Sequence, residues 1–112
     1  MRKETHKIMS AFLRGKKASA QRTHTDGTTV WLHGHEIVHR GDHDTWFTLA
    51  DWPTVTTRDR INGMLELSGS DYRVCQRNLR QYLIKDGETV REIGDSEWIG
   101  LNDEVYKDRV SV

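Results

Sequence analysis

Three histidines, His33, His35 and His39, stand at odd positions in a short run of β-type residues, TTVWLHGHEIVHR. On one continuous strand, residues two or four apart project to the same face, so this spacing could gather three imidazoles for a divalent metal such as zinc. Asp42, His43 and Asp44 in the following loop are the available fourth ligands. Gly34 interrupts the strand, however, and surface or hydrogen-bonded imidazoles are the simpler reading. Neither a metal nor any other cofactor is therefore expected.

Other chemistries find less support. The single cysteine, Cys75, sits in a β-type run where a small core residue is the ordinary role, and no serine occupies a glycine-flanked elbow. Neither GxxxxGK[ST] nor GxGxxG occurs, so the phosphate cradles of nucleotide hydrolases and dinucleotide enzymes are missing. A non-enzymatic protein is expected. The stretch TVTTRDRIN reads as a helix start whose hydroxyls, free amides and arginines Arg58 and Arg60 suit an anion, or as a capped helix with ordinary surface charges.

Charge distribution points to a class of partner. Lysines and arginines together equal aspartates and glutamates at 17 each, yet residues 1–25 hold seven basic residues against the single acid Glu4. That segment is net +6 and the remainder net −6. Clustered cations bind phosphate backbones by releasing counterions, so nucleic acid is the first candidate partner of Arg2, Lys3, Lys7, Arg14, Lys16, Lys17 and Arg22, aided by Arg58 and Arg60. An intramolecular docking of this arm on the acidic body is the competing reading. A third is that the acidic body mimics nucleic acid and inhibits another protein by binding it.

The positioning elements follow from periodicity. Ile8, Met9, Phe12 and Leu13 are spaced for an N-terminal basic amphipathic helix that ends at Gly15. GKKASAQRTHTDG contains no apolar residue larger than alanine and reads as a linker, so residues 1–25 form a helix and arm, and residues 26–112 a single domain. Within that domain TTVWLH, EIVHR and TWFTLA form a meander, followed by a helix capped at Thr56 or Thr57 with Ile61, Met64 and Leu65 on its apolar stripe. DYRVCQR, RQYLIKDG and TVREI return to strands, although QRNLRQYLI also fits a helical period. Trp31, Trp46 and Trp52 are expected mostly in the core, with Trp98 peripheral and the acidic C-terminal end frayed. The fold class is α+β: a small, largely antiparallel sheet of five to six short strands, one packed helix and the N-terminal helix. Edge strands allow either a monomer or a homodimer. No apolar stretch is long enough for a membrane span, and a single cysteine suits a reducing cytoplasm.

The order DGTTVWLHGHEIV, WFTLADWPTVTTRDRIN, YRVCQRN, YLI and DSEWIG resembles a widespread group of small uncharacterised proteins encoded by tailed bacteriophages. That group shows a DG…LHGN.I strand pair leading into GW.T.TTR.RLN. Here His35 replaces the usual asparagine after Gly34, and Ala50 with Asp51 replaces the glycine ahead of Trp52. The likeness spans roughly Lys7 to Leu101, with TTRDRIN its most specific part. It implies an accessory protein made during infection in the bacterial host cytoplasm that acts by binding DNA or, with its acidic body as a nucleic-acid mimic, by inhibiting a host enzyme or antiviral defence complex.

Overall fold

The computed structural model describes residues 1–105. The apolar spacing near the N-terminus forms α1 (Lys3–Leu13), which buries Thr5, Ile8, Met9, Ala11 and Phe12. Its end is closed by two backbone bonds, Gly15 to the Phe12 carbonyl at 3.0 Å and Lys16 to the Ala11 carbonyl at 2.8 Å, with Gly15 at φ +70°. That left-handed residue satisfies helix carbonyls that would otherwise lack partners.

The segment expected to be a linker is instead a hairpin, β1 (Ala18–Ala20) and β2 (Thr23–Thr25). Its small residues suit their place beside α1: Ala18 and Ala20 pack against the core, and the buried Thr25 hydroxyl donates to the Thr29 carbonyl at 2.7 Å. The turn is made by Gln21 and Arg22 at φ 48° and 60°, without the glycine or asparagine that normally announces it. Residues 1–25 are thus part of the packed domain rather than an appended arm.

β3 (Thr29–Leu32), β4 (His35–Arg40) and β5 (Thr45–Phe47) continue the meander, and β9 (Ile99–Gly100) closes a six-stranded sheet of order β1-β2-β3-β4-β5-β9, antiparallel throughout. Val30, Val38, Phe47 and Ile99 lie opposite one another across four strands and are all buried, the inner row of the core. A register shift beside Val30 leaves Ile37 as an extra residue on β4, so Ile37 and Val38 both face inward.

α2 (Val55–Leu67) starts earlier than its threonines suggest. Thr54 is the N-cap, its hydroxyl accepting from the Thr57 amide at 3.1 Å, while Thr57 turns its own hydroxyl back to the Trp52 carbonyl at 2.8 Å. Ile61, Met64 and Leu65 are buried as their spacing requires. The QRNLRQYLI run is strand, turn and strand: β6 (Tyr72–Arg77), β7 (Arg80–Lys85) and β8 (Glu88–Ile93) form a second antiparallel sheet. Leu79 sits in the first of its turns at φ 65° and 86% exposed, so its helical spacing has no packing consequence. Arg91 on β8 grips Glu97 at 2.7 Å and Glu104 at 2.9 Å, which raises the arginine pKa and lowers that of Glu97. The acidic end begins as one π-helical turn, Leu101–Val105, and the remainder of the expected frayed end lies outside the described residues.

The two helices cross at Gly63, where a Cβ would collide with the Thr5 methyl group. Alanine is the better helix former by about 1 kcal/mol, but this crossing cannot widen without opening the core. Gly63→Ala is therefore expected to lower stability by about 1–3 kcal/mol, read as a drop in Tm by circular dichroism. A rise in Tm would contradict the close approach.

Candidate nucleic-acid interface

Burying Ile8, Met9 and Phe12 turns the opposite side of α1 to solvent, and that side carries the cations. Lys3, Lys7 and Arg14 lie four and seven residues apart, within about 60° of one another around the helix. Lys16 and Lys17 follow in the loop to the edge strand β1, and Arg22 stands at the β1–β2 turn. Arg2, Lys3, Lys7, Arg14, Lys16, Lys17 and Arg22 are all exposed, and among the described residues none of the seven forms an ion pair. Arg2 and Lys3 also sit at the positive end of the helix dipole, where cations are unfavourable and add to the local potential.

The structure separates the two arginines of TTRDRIN from this surface. Arg60 is only 2% exposed, the largest fully buried side chain among the described residues. Its Nε donates to the Thr23 hydroxyl at 3.0 Å and its Nη1 to the Thr5 hydroxyl at 2.6 Å, with Asp59 at 3.4 Å. Thr5 in turn donates to the Asp59 carboxylate, and Thr23 to the Gln21 carbonyl at 3.3 Å. Burial lowers the Arg60 pKa and the Asp59 charge opposes that shift, so the guanidinium stays charged inside a satisfied network.

Arg58 is engaged elsewhere, donating to the Pro53 carbonyl at 2.7 Å and to the side chains of Gln76 and Gln81 at 3.1 Å each. Asn62 completes the pattern by pairing both ways with the Val74 backbone of edge strand β6, at 2.9 and 2.7 Å. The specific motif of the sequence is thus a clamp joining α2 to α1, to β2 and to the second sheet. What it leaves open is a cleft of about 460 Å³ where Arg2, Arg22, His33 and Thr56 meet beside Arg60. Arg2 spans part of it, donating to the Thr56 hydroxyl at 2.8 Å.

The three histidines do not share a face. His33 occupies a turn at φ 52°, His35 pairs with Leu32, and the extra residue Ile37 shifts His39 into the row of Thr29 and Trp46. The Thr29 hydroxyl and His39 Nδ1 lie 2.9 Å apart, and Glu36 is 3.5 Å from the same nitrogen. Among the described residues no three histidine, cysteine or carboxylate side chains converge as a metal site.

Three of the tryptophans depart from expectation, because Trp31, Trp46 and Trp52 are not buried, whereas Trp98 is peripheral as expected. Trp31 and Trp46 are half-buried, Trp52 is 58% exposed and Trp98 43% exposed. The core is filled by Phe12, Phe47 and aliphatic residues instead. Ser19, His24, Trp31 and Glu36 lie in register across the outward face of the six-stranded sheet, and Thr29, His39, Trp46 and Gly100 form a second row. Alternation could have placed His24 beside Trp31 only if the glycine-free β1–β2 hairpin had been recognisable.

If Arg60 is structural, its loss should act on folding. Arg60→Ala leaves Thr5, Thr23 and Asp59 without their shared donor and is expected to cost about 3–5 kcal/mol in chemical denaturation. A variant with unchanged stability would show that the clamp contributes nothing.

No described helix is long and apolar enough to cross a membrane. No curated protein and no solved structure matches the chain. The family model described as Kyanoviridae Gp96 protein matches residues 1–103, the stretch holding both helices, both sheets and the cationic surface. The chain therefore belongs to the Kyanoviridae Gp96 protein family, a phage protein family.

Proposed function

We propose that this chain is a non-enzymatic phage accessory protein that works by binding, and that its ligand is nucleic acid held on the cationic surface of α1 and the loop after it. The observation that carries this reading is the state of the seven cations: exposed and, among the described residues, without ion pairs, on and beside a helix whose position the core fixes. Acids elsewhere are matched in part, as Glu97 and Glu104 are by Arg91. A helix of eleven residues is about 16 Å long, enough to follow several phosphates along one strand. The segment does pack on the body, but through Ile8, Met9 and Phe12, and among the described residues none of its seven cations forms an ion pair there.

Deleting residues 1–25 would remove Ile8, Met9 and Phe12 from the core, so the test keeps the whole chain. Fluorescence anisotropy with labelled oligonucleotides should show affinity that falls steeply with salt. The Lys3→Gln, Lys7→Gln, Lys16→Gln triple variant should bind about tenfold more weakly at low salt and flatten the slope of log K against log salt by about two to three units. An unchanged slope would remove these lysines from the interface. Absence of any binding would move the reading to a host or defence protein as partner.

A further inference from the structure

Among the described residues the outward face of the six-stranded sheet carries His24 exposed and Trp31 and Trp46 half-buried. We propose that this face is a stacking platform for unpaired nucleobases, so that the ligand of the cationic surface is single-stranded. This rests on the nucleic-acid reading above and adds the strandedness that charge alone does not specify.

Two preformed features carry it. On β2 and β3 the His24 imidazole lies parallel to the Trp31 indole, centroids 4.8 Å apart and planes 16° from coplanar. Trp31 is half-buried and His24 exposed, so the outer side of the imidazole is open for a further ring to continue the stack. On β5 and β9 the Trp46 indole lies across Gly100, where a Cβ would stand 2.9 Å from the ring. Glycine there lets the indole rest on the strand backbone. Trp46 and Trp98 then line a cleft of about 230 Å³ with Glu36 and His39 at its polar rim. That cleft offers apolar surface to the faces of a planar heterocycle, and a carboxylate and an imidazole to its hydrogen-bonding edge.

Charge continuity makes a nucleic acid the occupant. Arg14, Lys16 and Lys17 occupy the connection from α1 to edge strand β1, and the outward row begins at Ser19, two residues beyond Lys17. The Asp26 carboxyl is held below its usual range by the amides of Thr29 and Thr28, with a smaller contribution from Lys17. Lys17 therefore stands close to this end of the sheet. A backbone following the α1 cations can round the short edge strand and lay its bases along the two rows. Paired bases in a duplex already stack on one another and cannot present their faces, whereas those of a single strand can.

The test compares single-stranded DNA, single-stranded RNA and the matching DNA duplex by anisotropy, using the full chain with His24→Ala and, separately, Trp98→Ala. Both residues are exposed, and thermal melts establish that each variant is folded. The expected result is preference for one or both single strands, with each variant losing about 5- to 100-fold of that affinity. Weak duplex binding and the salt slope should remain unchanged, which a general loss of structure would not produce. Equal affinity for single strand and duplex, untouched by either variant, would overturn the platform and leave the cationic surface standing. Failure to bind any oligonucleotide even at low salt would overturn both.

Discussion

A guanidinium enclosed among two helices and a hairpin is costly unless its donors find partners, and Arg60 places Nε and Nη1 on threonines from different elements. Thr5 comes from α1, Thr23 from β2, and Asp59 precedes Arg60 on α2. Each hydroxyl accepts from the arginine and passes its own proton onward, to Asp59 or to the Gln21 carbonyl. Burying charge rarely adds net stability over a well-packed apolar alternative. What it does here is set position, since only one arrangement of α1, α2 and β2 satisfies all four groups.

That constraint has a consequence for the surface. With α1 held by the clamp on one flank, and by Arg40 on the other through the carbonyls of Phe12 and Gly27, the helix has one rotation about its axis. The Arg40 guanidinium also lies 4.3 Å from the Phe12 ring centroid. The apolar stripe is then forced inward and Lys3, Lys7 and Arg14 outward. A cationic surface fixed in this way loses less conformational freedom on meeting phosphates than a free basic tail would. The segment that looks like an appendage in sequence is, in the folded chain, the element around which the rest is arranged.

Much of this was legible in the residues, and the exceptions share a physical cause. The apolar spacings of α1 and α2, the Gly34 and Asp86–Gly87 turns and the α+β class follow from periodicity and turn chemistry. The β1–β2 hairpin did not, because its strands carry alanine and threonine and its turn uses Gln21 and Arg22 in a conformation that glycine or asparagine usually signals. The bulge at Ile37 was equally silent, and it alone separates His39 from the parity of His35. TTRDRIN was recognisable as distinctive, but burial decides what an arginine does. Arg58 and Arg60, which read in sequence as candidate phosphate contacts, turn out to bind the protein to itself.

The proposed ligand meets one fixed surface, running along α1 and through the loop to β1. The most direct measurement is an amide nuclear magnetic resonance spectrum of the intact chain, titrated with a short single-stranded oligonucleotide. Resonances of Lys3, Lys7, Lys16, Lys17 and Arg22 should move together with those of the neighbouring outward row, while Asn62, Val74 and the second sheet remain still. Shifts confined to the second sheet or the acidic C-terminal end, or no shifts at a saturating concentration, would contradict that contact.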